Sequence, residues 1–225
     1  MTPWTLLDSA QVPGNGGELR LYRRGGEFSI VLAGRGELMS SRVHGSEEAL
    51  AVQTCARLAD SRQASLLIGG LGMGFTLAAA LQALGARSRV EVAELIPAVV
   101  AWNRDPLGPL AGRPLDDPRV TVREGDIARL LTAEPRAWDA ILLDVDNGPE
   151  GLTRRQNDWL YATEGLNAAY AALRPGGVLA VWSAGPAPEF MPRLCKVGFE
   201  AEELRVRAHG AKGARHVIWF GRRTE

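Results

Sequence analysis

The stretch Leu66–Leu81, LLIGGLGMGFTLAAAL, contains four glycines within six residues, between two apolar segments. It belongs to the uncharged segment Ala64–Ala86, which is long enough to cross a bilayer as a helix. The glycines fall early in this segment, however, and the apolar run before them, Leu66–Ile68, has the length of a strand. We therefore predict a buried strand, a glycine turn and a buried helix, and no membrane span.

Segments typical of strands and of helices alternate from this stretch onward. The predicted strands are Ser65–Ile68, Val90–Ala93, Val120–Arg123, Ala140–Leu143 and Val178–Trp182. The predicted helices are Phe75–Leu84, Pro97–Asn103, Ile127–Thr132, Asn157–Leu173 and Pro188–Cys195. Because uninterrupted apolar strands suit a sheet buried on both faces, this alternation predicts an α/β fold with a doubly wound, mostly parallel sheet. Two final strands, Phe199–Val206 and His216–Phe220, should pair antiparallel because only a short loop separates them.

The N-terminal part of the chain has a different pattern. Leu19–Leu38 predicts two or three short strands separated by glycine turns, and Ser46–Ala59 predicts a helix capped by Ser46. We therefore predict a small β region over residues 1–45 and an α/β domain over residues 46–225.

The composition is that of an ordinary soluble protein, with 26 Lys and Arg balanced by 26 Asp and Glu. This balance gives no overall attraction to nucleic acid or to an anionic membrane. The basic segment Arg205–Arg223 alternates polar and apolar residues, which favours a solvated strand face over a phosphate site. Cys55 and Cys195 show no metal-ligand spacing, and no signal peptide is visible, so we expect a cytoplasmic protein with no metal site and no nucleic-acid or membrane partner.

The glycine turn fits one ligand-binding pattern and not another. The dinucleotide pattern GxGxxG fails, because Phe75 stands where its third glycine is required. The pattern GxGxG fits at Gly70, Gly72 and Gly74. In an open α/β sheet, ligands bind beyond the carboxyl ends of the strands, where such a turn lies. The turn therefore predicts either a ligand site or a purely structural connection between strand and helix.

Acidic residues close the strands that follow the turn. Glu94 ends the second strand, where a carboxylate accepts the hydroxyls of a ribose, unless it is only a solvated strand-end acid. Asp126 precedes the helix that begins at Ile127, and there it can accept the amine of adenine, cap the helix, or do both. Asp144 ends the fourth strand, which predicts that it faces the reacting part of a ligand.

The chain resembles a known group of proteins through the ordered motifs LLIGGLGMG, VEVAELIP, VREGD, WDAILLDVD and LRPGGVLAVW. Their order is similar to that in class I S-adenosylmethionine-dependent methyltransferases, and over roughly Leu19–Arg223 the chain looks more closely like the spermidine synthase family. The resemblance implies a Rossmann-like sheet of seven strands that ends in an antiparallel hairpin, a small N-terminal β-hairpin region, and a homodimer joined through the N-terminal strands. It also implies an adenosyl sulfonium cofactor that is bound by Gly70, Gly72, Gly74, Glu94, Asp126, Ile127 and Asp144.

Two departures from the spermidine synthase pattern bear on the reaction. Aminopropyltransferases typically carry an aspartate in a GGGDGG loop, which pairs with the ammonium of decarboxylated S-adenosylmethionine and repels the carboxylate of the intact cofactor. Here the loop is GGLGMG, with Gly72 and Met73 at its centre, which favours intact S-adenosylmethionine. The family's catalytic pattern DSSDP is replaced by DVDNGP at residues 144–149, so Asp144 is the candidate base and Asp146 the second candidate.

The acceptor side departs from the family as well. The family's segment DEYxYHE corresponds to SSRVHGSEEAL here, which lacks the tyrosine. His44 and Glu47 are candidates to border a pocket for a small-molecule acceptor, and Trp159 on a later helix is a third. The alternative for His44 is a structural hydrogen bond, and for Trp159 it is packing of a helix start on the sheet.

Three hypotheses about function follow from these residues. The first is a methyltransferase that uses S-adenosylmethionine on a small-molecule acceptor, and it is preferred because the glycine loop lacks an aspartate. The second is an aminopropyltransferase of the spermidine synthase type that uses decarboxylated S-adenosylmethionine and a polyamine acceptor. The third is a non-catalytic nucleoside-binding module.

Overall fold

A computed structural model describes residues 2–14, 16–145, 149, 158–209 and 212–224 of the chain. The N-terminal part forms a four-stranded antiparallel sheet whose strand order is the chain order. Its strands are β1 (Thr5–Gln11), β2 (Glu18–Arg24), β3 (Glu27–Leu32) and β4 (Gly36–Ser40). The sequence predicted β2 to β4 but not β1, because β1 is an edge strand with mostly exposed side chains and no apolar alternation.

A seven-stranded sheet follows, in the order β10-β11-β9-β8-β5-β6-β7. Its strands are β5 (Ser65–Gly69), β6 (Arg89–Glu94), β7 (Val120–Glu124), β8 (Trp138–Leu143), β9 (Leu173–Ser183), β10 (Phe199–His209) and β11 (Lys212–Arg223). The five strands from β5 to β9 pair in parallel, whereas β11 pairs antiparallel with both β9 and β10. The predicted doubly wound sheet with an antiparallel C-terminal hairpin is thus confirmed.

Helices cover both faces of this sheet. They are α1 (Gly45–Cys55), α2 (Phe75–Ala83), α3 (Pro97–Arg104), α4 (Ile127–Ala133), α5 (Asp158–Tyr161), α6 (Thr163–Ala172) and α7 (Phe190–Val197). Along β5, Leu66 and Ile68 pack into the core beneath α1 to α3, whereas Leu67 packs on the other face beneath α4, α6 and α7. Burial on both faces explains why this strand is apolar at every position.

The uncharged segment of the sequence is a buried strand, a turn and a buried helix, as predicted. It contains β5 and α2, and most side chains of both are buried. Among the residues that the structure describes, no helix is both long and apolar enough to cross a membrane.

Two helix predictions were wrong. The helix predicted over Asn157–Leu173 is two helices, α5 and α6, and the first turn of α6 approaches α5 so closely that a Cβ at Gly165 would collide with the carbonyl oxygen of Trp159. Ser46 does not cap α1, because the helix begins one residue earlier and its N-cap residue is His44. The hydroxyl of Ser46 is buried within the first turn instead.

The prediction of a boundary between a β region over 1–45 and an α/β domain over 46–225 stays a prediction. What positions the candidate site is the register of the central strands. Gly69 at the end of β5 lies beside Ala93 of β6 and Leu143 of β8, so the turns that follow these strands meet at one edge of the sheet.

Candidate active site

The glycine turn between β5 and α2 requires glycine for two reasons. Gly70, Gly72 and Gly74 have φ angles of 88°, 53° and 84°, in the left-handed region that other residues rarely adopt. In addition, a Cβ at Gly70 would collide with the carbonyl oxygen of Asp144. The turn therefore packs directly against the backbone at the end of β8, which brings the glycine loop and Asp144 together.

Glu94 supports the glycine loop through its carboxylate. Its Oε2 accepts a hydrogen bond from the backbone N–H of Leu71 and its Oε1 accepts one from that of Ile96, both at 2.9 Å. The side chain is only 7% exposed, and its burial raises the pKa of the carboxyl group against the opposing effect of these amides. Glu94 is thus not a solvated strand-end acid, and this bracing of the loop is a role that the sequence did not reveal.

The larger of two cavities lies at the carboxyl ends of β5, β6 and β8 and has a volume of about 130 Å³. We call it the apolar cavity, because its outer wall is formed by aliphatic side chains of the N-terminal sheet, among them Ile30, Leu32, Leu38 and Met39. Its inner wall contains most of the residues that were predicted to bind the cofactor, namely Gly70, Gly72, Glu94, Asp126, Ile127 and Asp144. The structure therefore brings these six residues to one site.

Asp126 and Ile127 reach the apolar cavity from the start of α4. Asp126 is the N-cap residue, and its Oδ1 accepts the backbone N–H of Ala128 at 2.9 Å. Its capping role is therefore shown, whereas its contact with adenine stays a prediction. The side chain of Ile127 is buried and packs over Gly69, where a Cβ would collide with it.

The smaller cavity, of about 50 Å³, adjoins the first and shares Leu38, Met39, Gly72 and Asp144 with it. We call it the acidic cavity, because Glu47 from the first turn of α1 joins Asp144 in its lining. Thr76 from α2 and Trp182 from β9 also line it. No Lys, Arg or His is among the described residues that line either cavity. The acidic cavity is therefore suited to a cationic group.

Asp144 is the central polar group of the site. It is half-buried, and it lines both cavities. Thr76 Oγ1 donates a hydrogen bond to its Oδ2 at 2.6 Å. The pKa of Asp144 is raised to about 7, chiefly by burial and in addition by the negative charge of Glu47, whereas the Thr76 hydrogen bond lowers it. A carboxylate with such a pKa can accept a proton near neutral pH.

Glu47 has the same kind of environment. Burial raises the pKa of its carboxyl group, and a hydrogen bond from Ser46 Oγ to Glu47 Oε2, 2.7 Å long, lowers it. Two carboxyl groups with raised pKa values at one cavity repel each other, and a bound cation would stabilise the ionised form of both.

Three of the predicted site residues do not line either cavity. Gly74 is the N-cap residue of α2. His44 stacks its ring on Phe75, with the ring centroids 4.2 Å apart, and its Nδ1 is 2.9 Å from Glu48 Oε1. Trp159 lies on α5, half-buried against the core. Asp146, the second candidate base, lies outside the described residues.

Sequence reasoning missed several residues of the site. Thr76 had a signal, since it is one of only two hydrogen-bonding side chains within α2, directly after the glycine turn. Met39, Leu38 and Trp182 had none, because apolar residues of strands are usually core residues. In the part of the chain that the structure describes, no three His, Cys, Asp or Glu side chains are grouped so that they could hold a metal ion.

The chain was compared with protein families, curated proteins and solved structures. No family model matches the chain. The polyamine aminopropyltransferase of Mycobacterium tuberculosis is 29% identical over 172 residues, which are 75% of this chain and 31% of that protein. Polyamine aminopropyltransferase 2 of Pseudomonas aeruginosa is 32% identical over 136 residues, which are 59% of this chain and 36% of that protein. The chain thus spans about a third of the length of these curated relatives.

Solved structures decide the fold. The spermidine synthase of Thermotoga maritima superposes with a TM-score of 0.77 over 97% of this chain and 72% of its own, at 18% identity. A probable spermidine synthase from Corynebacterium glutamicum gives 0.66 over 98% of this chain and 80% of its own, also at 18% identity. The fold is that of the spermidine synthases. The coarser similarity to class I methyltransferases is consistent with the same sheet.

The preference for methyl transfer with intact S-adenosylmethionine is wrong. The curated relatives are named polyamine aminopropyltransferases, which favours the alternative. The preference depended on the missing aspartate at Gly72 and Met73 of the glycine loop. In the folded chain, however, Glu47 from α1 and Asp144 at the end of β8 bring negative charge beside a loop that carries none of its own.

Proposed function

We propose that the chain transfers an aminopropyl group from decarboxylated S-adenosylmethionine to an amine. One observation carries the proposal: Glu47 and Asp144 line the acidic cavity, which opens next to the apolar cavity at the glycine loop. Two carboxylates favour an ammonium group and disfavour a carboxylate. They therefore select the decarboxylated donor and a cationic acceptor. The names of the curated relatives support the same reaction class.

In this proposal the adenosyl group of the donor occupies the apolar cavity. Gly70 and Gly72 allow the backbone to approach it closely, and Glu94 keeps the loop in place through the amides of Leu71 and Ile96. Asp126 at the far side of this cavity is placed to accept a hydrogen bond from an amine of the base. The aliphatic wall from the N-terminal sheet excludes water from the sulfonium.

Asp144 accepts a proton from the acceptor ammonium, so that the amine nitrogen has a free electron pair. That nitrogen attacks the aminopropyl carbon next to the sulfur, a carbon–nitrogen bond forms, and the carbon–sulfur bond breaks with its electron pair staying on sulfur. The products are methylthioadenosine and the lengthened polyamine, and the proton leaves Asp144 to solvent. Alignment of the two reactants supplies much of the acceleration, on the order of 7–11 kcal/mol in well-oriented cases.

The experiment that tests the proposal compares donors and acceptors on the full chain. Methylthioadenosine release is measured with 1,4-diaminobutane and either decarboxylated or intact S-adenosylmethionine. We expect release with the decarboxylated donor only, and tighter binding of that donor by calorimetry. A methylated amine from the intact donor would contradict the proposal, and so would binding of both nucleosides without turnover of any diamine or polyamine, which is the behaviour of a non-catalytic module.

The homodimer through the N-terminal strands and a cytoplasmic location stay predictions. Trp4, Leu6 and Leu7 at the N-terminal edge of the chain are large and exposed, which is consistent with self-association through β1.

A further inference from the structure

Hydrogen-bonded side chains connect the C-terminal hairpin of the sheet with the acidic cavity. His216 on β11 has its Nδ1 2.8 Å from Ser46 Oγ, and Ser46 Oγ donates to Glu47 Oε2 at 2.7 Å. His216 does not line the cavity, whereas Glu47 does. His216, which is distant in sequence, is therefore linked to the cavity through the buried hydroxyl group of Ser46.

The hydrogen bonds among His216, Ser46 and Glu47 have a single arrangement of protons when Glu47 is ionised. A carboxylate only accepts hydrogen bonds, so Ser46 must donate its one proton to Glu47. The oxygen of Ser46 is then free to accept, and the Nδ1–H of His216 is in place to donate to it. Ser46 is fully buried, where an unpaired hydroxyl would be costly. His216 therefore completes the hydrogen bonding of Ser46 and fixes the direction of its donor.

A second contact of His216 reaches the same cavity. Its ring meets Trp182 edge-to-face, with the ring centroids 4.9 Å apart and an interplanar angle of 77°. Trp182 is itself a lining residue of the acidic cavity. This contact holds the imidazole in the orientation from which Nδ1 faces Ser46.

We propose that His216 is a positioning residue that acts through Ser46 to hold the Glu47 carboxylate toward the acidic cavity. This inference rests on the proposed function in one respect, namely that the cavity takes a cationic amine. The other charged groups near Glu47 are Asp144 at the end of β8, His44 at the N-cap of α1 and Glu48 on α1. Of these, His44 and Glu48 pair with each other, whereas the side chain that donates to Glu47 is Ser46.

A measurement without any ligand tests the hydrogen-bonded link. The carboxyl carbon of Glu47 is titrated by NMR and assigned with Glu47→Gln. Because the bond from Ser46 stabilises the ionised carboxylate, Ser46→Ala should raise the pKa of Glu47, with proton binding about fivefold tighter, the size of one neutral hydrogen bond. His216→Ala should raise it in the same direction. His216→Asn should restore the original titration, because its amide nitrogen can donate in place of Nδ1.

A titration that is the same in Ser46→Ala and His216→Ala as in the original chain would overturn the inference. This outcome does not depend on turnover. If the unmodified chain consumed no diamine, the proposed function would fail, while the link between His216 and Glu47 would still be tested by the NMR measurement.

Kinetics test what the link does. With 1,4-diaminobutane and decarboxylated S-adenosylmethionine, His216→Ala should raise the KM for the diamine by about tenfold and change the kcat by no more than about twofold. The KM for the diamine in the double variant Ser46→Ala/His216→Ala should be no higher than in Ser46→Ala alone, because both changes break the same hydrogen-bonded path. Additive effects would contradict a path through Ser46.

The matched control is Arg215→Ala, which changes the exposed neighbour of His216 on β11. It should leave the KM for the diamine unchanged. If Arg215→Ala raised this KM as much as His216→Ala does, the effect would come from the hairpin as a whole, and the positioning role of His216 would be wrong.

Discussion

The apolar and the acidic cavity share Leu38, Met39, Gly72 and Asp144, yet they are built in different ways. The apolar cavity is shaped by backbone: a glycine turn in left-handed conformation, held by Glu94 and covered by aliphatic side chains. The acidic cavity also has apolar lining residues, but its charge comes from Glu47 of α1 and from Asp144 at the end of β8, with Thr76 of α2 bonded to Asp144. The first fixes a shape and the second fixes a charge, so substitutions should affect them in distinguishable ways.

Asp144→Asn should produce the largest effect, because Asp144 belongs to both cavities. The change keeps the shape of the side chain but removes the proton acceptor, and we expect the kcat for aminopropyl transfer to fall by about 10²- to 10⁴-fold. Binding of methylthioadenosine, measured by calorimetry, should change far less, since the apolar cavity is intact.

Asp60→Asn serves as the control for this change. Asp60 pairs with Arg62 away from both cavities, and its replacement should leave turnover unchanged. Retention of most of the original kcat in Asp144→Asn would show that Asp144 is not the base.

Gly70→Ala should break the junction between the two cavities. The new Cβ would be strained at a φ of 88° and would collide with the backbone carbonyl of Asp144. Gly176→Ala is a matched comparison, because its φ is 76° and nothing lies within 4 Å of its Cβ. We expect Gly176→Ala to lower the free energy of unfolding by about 1–2 kcal/mol and Gly70→Ala to lower it by about 1–3 kcal/mol more.

Urea denaturation of both variants checks this prediction, together with methylthioadenosine binding. Only Gly70→Ala should also lose nucleoside affinity. Equal losses of stability in the two variants would mean that the end of β8 shifts freely, and that the glycine loop and Asp144 are not rigidly joined.

Glu47→Gln should have the smallest effect on the kcat. It should raise the KM for the diamine at least as much as His216→Ala does, because it removes the charge itself, and it should also shift the pH dependence. Asp144 is a base only when ionised, so kcat/KM should rise with pH through about 7. The charge of Glu47 raises the pKa of Asp144, so its removal should lower that pKa and move the acid limb of the profile to lower pH. Glu48→Gln, one residue along α1, should not move it, because Glu48 pairs with His44. A limb that stays in place in Glu47→Gln would show that the two carboxyl groups do not interact.

The difference between the two cavities also explains what the sequence could predict. The apolar cavity depends on residues that are close in the chain, such as Gly70, Gly72 and Asp126, and each has a local signature in turn or capping preference. The alternation of apolar strands and helices likewise gave the order of elements, since each element carries its own periodicity.

The acidic cavity has no such local signature. Glu47 and Asp144 belong to different elements, and only the folded sheet brings them together. For this reason the composition of one loop misled the choice between methyl and aminopropyl transfer. The error at Ser46 has the same origin, because a serine at a helix start indicates a cap, whereas here its partner is His216 on the last strand.

The hydrogen bonds of Glu94 affect how the sequences of such proteins diverge in evolution. Its carboxylate is held by two backbone amides that the turn would otherwise leave unpaired in the interior. Selection for folding alone is therefore enough to retain an acid at the end of β6, even in a descendant that no longer binds a nucleoside. Loss of ligand binding should instead leave its mark first on Glu47, whose side chain is more exposed and caps no helix.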